Sequence, residues 1–110
     1  MLTWEEFEKV EMRVGTIIEV NDFPEARKPA YQLTIDFGAE IGIRKSSAQI
    51  TKRYQKEELL NRQIIAVVNF PKKQIGKFMS ECLVMGSVGA DNDIVLLAPD
   101  FAVENGLRIG

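Results

Sequence analysis

The sequence predicts an all-β fold, and three observations support this prediction. Apolar and polar residues alternate in several short runs, as they do on half-buried strands. Turn residues such as Gly, Pro, Asn and Asp separate these runs. The helical patterns are only one or two turns long. With 110 residues, of which 45% are hydrophobic, the chain is expected to form one domain over residues 1–110.

A short helix is predicted at the N-terminus. Thr3 and Glu6 have the three-residue spacing of a capping box, in which each side chain accepts a hydrogen bond from the other residue's backbone. The helix is expected to end near Lys9. It should bury Phe7 and Trp4 against the strands that follow.

The first three strands follow from alternation with a period of two. Residues 12–20 form the first strand, in which Gly15 predicts a bulge or a sharp bend. Residues 31–37 form the second strand, and the turn at residues 38–40 leads to the third, at residues 41–46. These two strands should form a hairpin. The residues of the second strand expected to face the core are Tyr31, Leu33, Ile35 and Phe37.

The second half of the chain adds a helical insert and further strands. Residues 47–62 contain one or two short helical turns, and the continuous apolar run at residues 63–70 is typical of a central strand. A basic loop at residues 71–77 precedes a fifth strand at residues 80–86, and residues 94–97 form a C-terminal extension. A helical insert between strands three and four fits the five-stranded Greek-key barrel of an OB-fold. A β-sandwich fits the strand count nearly as well.

Charge is segregated along the chain. The 34-residue window from Arg44 to Lys77 holds nine basic and two acidic residues, a formal charge of +7. The remaining 76 residues hold five basic and 14 acidic residues, a formal charge of −9. This separation favours a polyanion as partner for the basic region. The alternative is that the basic window is only a solvated face.

The composition argues against catalysis. The chain has no histidine, which excludes His-based triads, and its one cysteine excludes thiolate zinc clusters and an internal disulfide. Cys82 lies in an apolar alternation and is expected in the core. The acidic pairs Glu57/Glu58 and Asp91/Asp93 are expected at a helix start and in a turn. We therefore predict no catalytic residue, no metal and no cofactor.

The sequence also bears on location. No apolar run approaches the roughly 20 residues of a membrane span, and the N-terminus lacks the basic start and apolar stretch of a signal peptide. A single cysteine suits the reducing cytoplasm. We expect a cytoplasmic protein without membrane insertion.

Candidate binding residues cluster around the cleft that an OB-fold would have. Residues 69–78 combine three lysines with two phenylalanines in the connection between strands four and five, which forms one edge of an OB-fold cleft. The basic and polar residues at positions 44–47 end strand three on the same cleft wall in this fold. Lysines could contact phosphates there, and Phe70 or Phe78 could either stack on a base or pack in the core.

Several segments resemble a known family. Residues 69–81, Asn-Phe-Pro-Lys-Lys-Gln-Ile-Gly-Lys-Phe-Met-Ser-Glu, are similar to the signature segment of the tRNA-binding domains appended to bacterial methionyl- and phenylalanyl-tRNA synthetases. Residues 13–17, Arg-Val-Gly-Thr-Ile, match the opening strand of that family. Residues 45–51, 67–71 and 95–100 are similar to its stand-alone CsaA-type branch, whose members are linked to protein secretion as export-related chaperones.

The resemblance implies an OB-fold, a homodimer without enzymatic activity, and tRNA as partner. The tRNA contacts that it implies are Arg44, Lys45, Ser46, Asn69, Lys72, Lys73, Lys77 and Ser80. Residues 80–83, Ser-Glu-Cys-Leu, depart from the Ser-x-Gly-Met continuation of many members, because Cys82 replaces the glycine and Glu81 adds a negative charge. This departure suits an alternative ligand, an unfolded preprotein segment delivered to the export machinery. Its candidate contacts in the cleft are Phe70, Ile75 and Phe78.

Overall fold

The computed structural model describes residues 1–110, and most of its regular structure is β. The strands are β1 (Met12–Asp22), β2 (Tyr31–Asp36), β3 (Ile43–Ala48), β4 (Gln63–Val67), β5 (Lys73–Ile75), β6 (Phe78–Ser80), β7 (Leu83–Val84), β8 (Gly86–Val88) and β9 (Ile94–Leu96). The helices are α1 (Trp4–Glu8), α2 (Gly38–Ile41) and α3 (Lys56–Leu59), with a 3₁₀ turn at Ala90–Asn92. None of the helices has the length and apolar character that crossing a membrane requires.

Five strands form a nearly closed antiparallel barrel. They pair in the order β3-β2-β1-β4-β7. The two ends of this sheet meet where the backbone N–H of Glu81 donates to the carbonyl oxygen of Lys45 at 2.7 Å. The N–H of Ser47 also donates to Oγ of Ser80 at 3.2 Å. The predicted OB-type barrel is thus confirmed over the sandwich, since one sheet curls on itself instead of two sheets stacking.

The N-terminal helix has the predicted capping box. Oγ1 of Thr3 accepts from the backbone N–H of Glu6 at 3.1 Å, and the Glu6 carboxylate accepts from the N–H of Thr3 at 3.1 Å. The predicted burial of its aromatic residues is largely wrong, because Trp4 is 83% exposed and Phe7 is only half-buried. The helix lies outside the barrel, so its apolar side remains uncovered.

The irregularity in β1 is not at Gly15, where the sequence predicts it. The register shifts between Ile17 and Glu19, while the pairing with β4 is unbroken through Gly15. A Cβ at Gly15 would lie 2.6 Å from Cγ2 of Ile35 and 2.7 Å from the ring of Phe37. Glycine is needed here because two core side chains approach the backbone closely.

The β2–β3 hairpin is confirmed, with all four predicted inward residues of residues 31–37 buried. Its connection is a single helical turn, α2, which begins at Gly38 and is followed by Gly42, with φ of +86° and +83°. These left-handed positions favour glycine. The helical turn uses residues assigned to the third strand, so β3 begins and ends two residues later than predicted.

The second half of the barrel differs more from the prediction. In the insert, α3 is helical but residues 51–53 form only a turn, and β4 ends at Val67 rather than at residue 70. The predicted basic loop at residues 71–77 is largely a hairpin, β5–β6, in which Lys73 pairs with Ser80. The predicted fifth strand at residues 80–86 is therefore divided. Its middle, β7, pairs with β4, and β8 pairs instead with β9 as a C-terminal extension.

The C-terminal segment packs along β1. The N–H of Gly106 donates to the carbonyl oxygen of Val14 at 2.7 Å, and the N–H of Val14 donates to that of Leu107 at 3.0 Å. Oγ1 of Thr16 also donates to Oδ1 of Asn105 at 2.7 Å. These bonds fix the C-terminal segment against the first strand of the barrel, a placement that no periodicity in residues 98–110 indicates.

Cys82 is buried, as predicted, and burial raises the pKa of its thiol to about 12. Since the thiolate is the reactive form, Cys82 should resist a thiol reagent at pH 8 in the folded protein. It should react within minutes once the protein is unfolded in urea. Fast labelling of the native protein, followed spectroscopically with unfolded protein as control, would contradict this burial.

Candidate functional site

An open groove lies between the loop at residues 23–30 and the β5–β6 hairpin. Its cavity has a volume of about 560 Å³. We call this site the groove, and its lining residues are Glu25, Ala26, Arg27, Lys28, Ala30, Ser47, Gln49, Lys73, Gln74, Ile75 and Gly76. Gly76 stands in the two-residue turn of the hairpin with φ of +60°, a conformation that glycine adopts readily. In an OB-fold these two loops are the edges of the ligand cleft.

A second opening adjoins the groove and is called the side cavity. It has a volume of about 490 Å³ and is lined by Phe23, Glu25, Gln32, Gly76, Lys77 and Phe78. Glu25 and Gly76 line both spaces, so the two lie side by side. Gln32, which lines the side cavity, pairs across β2 and β3 with Ser47, which lines the groove.

Four cations line these two spaces, and none of them forms an ion pair. Arg27 and Lys28 lie on the loop, Lys73 lies on β5, and Lys77 lies in the hairpin turn. The five ion pairs of the protein all involve other basic residues. Glu25 is the only acidic residue in the two linings, so their formal charge is +3.

Other cations are neutralised within the protein. Lys56 lies 3.0 Å from Asp22, and this hydrogen bond raises the pKa of the lysine. Arg53 is hydrogen-bonded to Asp93, which raises the pKa of the arginine and lowers that of the carboxyl group. The nine cations of the basic window therefore do not act as one surface.

The predicted tRNA contacts on β3 lie on both faces of the strand. Arg44 donates from Nη1 to the carbonyl oxygen of Val68 at 2.6 Å, and Ser46 is only 1% exposed, inside the barrel. Lys45 is exposed, with its backbone held by Glu81. Ser47, the last residue of the segment 44–47 that the sequence placed on the cleft wall, is the β3 residue that lines the groove.

The remaining predicted residues divide between structural contacts and the groove. Asn69 fixes the segment after α1, because its Nδ2 donates to the carbonyl oxygen of Lys9 at 2.6 Å. Lys72 is 3.4 Å from Glu81, so the acidic residue that adds negative charge near the expected cleft pairs with this lysine. Of the eight candidate tRNA contacts, Lys73 lines the groove and Lys77 lines the side cavity.

The sequence analysis did not predict the side of the groove that the loop at residues 23–30 forms. It did not propose Arg27, Lys28, Gln32 or Gln49, although the first two lie in the loop after strand one. The available signal was topological, since that loop forms the other edge of an OB-fold cleft. The basic window from Arg44 to Lys77 did not indicate Arg27 and Lys28, because both residues lie outside it in sequence.

An apolar groove continues from the groove toward β8 and β9. Its volume is about 610 Å³, and nine of its 15 lining residues are hydrophobic, among them Ile50, Leu83 and Ile94. Lys73 and Ile75 line both grooves. Ser80, one of the candidate tRNA contacts, faces the apolar groove.

The three candidate peptide contacts do not converge. Ile75 lines the groove and the apolar groove, and Phe70 borders a smaller space of about 270 Å³ with Lys73 and Ser80. Phe78 lines the side cavity instead. Ile75 and Phe78 are paired across the β5–β6 hairpin, but they border different spaces.

Comparison with known proteins gives a consistent family assignment. Residues 12–108 match the family model described as "Putative tRNA binding domain". Over 108 residues the chain is 35% identical to the methionine--tRNA ligase of Pyrococcus furiosus, a match that covers 98% of this chain and 14% of that enzyme. The chain thus spans a small part of such ligases.

Two solved structures are similar over their full length. The CsaA chaperone protein from Picrophilus torridus is 55% identical with a TM-score of 0.93, and the comparison covers 100% of both chains. The chaperone CsaA from Bacillus anthracis is 49% identical with a TM-score of 0.95, covering 100% of this chain and 99% of the other.

Proposed function

Because the chain belongs to the tRNA-binding domain family, we propose that it is a non-catalytic protein that binds structured RNA, tRNA in particular, through the groove. The observation that carries the proposal is the set of four unpaired cations around the groove and the side cavity. Unpaired lysine and arginine side chains can neutralise phosphates without first breaking an internal ion pair. A cytoplasmic location, where tRNA is present, fits this function.

The RNA is recognised by shape more than by sequence. The groove offers point charges and a few short polar groups, such as Ser47 and Gln49, and few groups that could read base edges. Contacts to sugar and phosphate position a nucleic acid without reading it, and folded RNA is distinguished largely by its backbone shape and 2′-hydroxyls.

Several unrelated tRNAs should therefore bind within a few-fold of one another, and single-stranded DNA of equal length should bind less well. Fluorescence anisotropy at one fixed salt concentration would measure both. One tRNA that outcompeted all others a hundredfold would contradict the prediction. Such a ratio needs roughly 3 kcal/mol of base-specific contacts.

The apolar groove favours a second function, binding of an unfolded preprotein segment for the export machinery. Its hydrophobic lining suits the side chains of an extended polypeptide, and Lys73 at the shared border suits an acidic residue of that polypeptide. A competition assay between tRNA and a reduced, unfolded protein compares the two ligands directly. If the polypeptide neither binds nor displaces tRNA, this second function is excluded.

We also predict a homodimer. Large apolar residues remain exposed near both chain ends, including Trp4 at 83% and Phe101 at 78%. A barrel of this size has little further surface with which to cover them, and two-fold pairing is the commonest way to do so. Light scattering at micromolar concentration should give about twice the chain mass of 12.4 kDa. A mass of one chain would contradict the prediction.

A further inference from the structure

We infer that the side cavity is a subsite for one unpaired nucleotide, whose base stacks on Phe78. The inference rests on the proposed RNA-binding function and adds a specific contact to it. The groove then holds sugar and phosphate, while the side cavity admits a base that is not held in a helix.

The platform for the base is a packed aromatic pair. The ring of Phe78 packs on that of Phe23 with centroids 5.3 Å apart and planes tilted by 56°. Phe23 is buried, at 5% exposed, whereas Phe78 is partly exposed and lines the cavity. Phe23 thus supports Phe78 from the interior and leaves part of its ring open. Aromatic side chains of this kind are the usual stacking partners of unpaired bases.

The polar groups of the cavity match the other parts of a nucleotide. Gln32 is half-buried on the cavity floor, and its side-chain amide makes no hydrogen bond within the protein. An amide offers both a donor and an acceptor to a base edge. Lys77 forms no ion pair and lies on the rim, where a phosphate would pass.

The volume of the side cavity and its position beside the groove support the same assignment. The volume of about 490 Å³ is within the roughly 300 to 1,000 Å³ of small-ligand pockets. The side cavity shares Glu25 and Gly76 with the groove, so a chain whose backbone lies along the groove would pass beside the cavity and could place one base in it. A stacked base is accepted whatever its identity, which agrees with binding that is not strongly sequence-specific.

The test uses an RNA hairpin with 2-aminopurine at one unpaired loop position and a blunt RNA duplex of equal charge. Phe78→Leu keeps an apolar side chain against Phe23 but removes the aromatic face. We expect hairpin binding to weaken about tenfold, the effect of losing one base stack, with loss of the 2-aminopurine fluorescence change. Duplex binding and the salt dependence of both ligands should stay unchanged, and Phe78→Tyr should restore hairpin binding.

Two control variants show whether the loss is specific to the side cavity. Phe7→Leu makes the same change at another half-buried phenylalanine, outside both the groove and the side cavity, and should leave hairpin binding unaltered. Lys73→Ala tests the proposed function separately, because it should lower the salt slope for hairpin and duplex alike.

The inference is overturned if Phe78→Leu weakens hairpin and duplex equally, which would indicate that Phe78 only positions the β5–β6 hairpin. It is also overturned if the variant leaves hairpin binding unchanged. A loss confined to unfolded-polypeptide binding would assign the side cavity to a protein ligand instead. If Phe78→Leu misfolds, Gln32→Ala on the cavity floor gives the same hairpin-specific test.

Discussion

Replacing Arg27, Lys28, Lys73 and Lys77 together with alanine is expected to remove most of the electrostatic part of tRNA binding. Each phosphate contact contributes about 0.7 to 0.9 to the slope of log affinity against log salt, so four contacts contribute roughly 3. Because this contribution vanishes near 1 M salt, the loss at 0.1 M salt should reach up to about a thousandfold. Titrations at four salt concentrations measure both the slope and the loss.

Single substitutions provide the matched control. Lys72 and Lys73 are neighbours with the same charge, but Lys72 lies 3.4 Å from Glu81 and Lys73 forms no ion pair. Lys73→Ala should lower the slope by nearly one, and Lys72→Ala by less. Since these changes are on the surface, neither should alter the unfolding free energy by more than about 0.5 kcal/mol. Slopes that stay at the wild-type value in the fourfold variant would mean that the cations are merely solvated.

Phe37→Ala is expected to destabilise the barrel by about 3 to 5 kcal/mol. The Phe37 side chain is fully buried and its ring lies over Gly15, where even one added carbon would come within 2.7 Å of it. Such close packing leaves little freedom for the surroundings to collapse into the cavity that alanine creates. Domains of this kind have a total stability of about 5 to 15 kcal/mol, so the variant should lie near its unfolding threshold.

Urea unfolding followed by far-UV circular dichroism measures the change. Phe70→Ala removes the same side chain at a position that is 55% exposed, and its effect should stay within about 0.5 kcal/mol. If Phe37→Ala cost no more than this control, the core packing around Gly15 would be looser than the structure indicates.

Local patterns in the sequence were sufficient for the elements whose residues interact with near neighbours. The capping box of Thr3 and Glu6 and the alternation from Tyr31 to Phe37 both predicted what the structure contains. A helix cap depends on residues three apart, and an inward-facing strand depends on a period of two. A similar alternation placed Cys82 in the core.

Only the tertiary structure decided which cations share a surface. The sequence grouped Arg44, Lys56 and Lys73 in one basic window, but Arg44 bonds to a backbone carbonyl and Lys56 pairs with Asp22. Arg27 and Lys28, which lie outside the window in sequence, line the same groove as Lys73 because the loop after β1 packs against the β5–β6 hairpin through Phe23 and Phe78. Ion pairing and loop proximity join residues that are distant along the chain, and no periodicity records such contacts. The sequence by itself therefore determined the local elements and a family resemblance that implied the barrel, while the closed sheet determined where the unpaired charge lies.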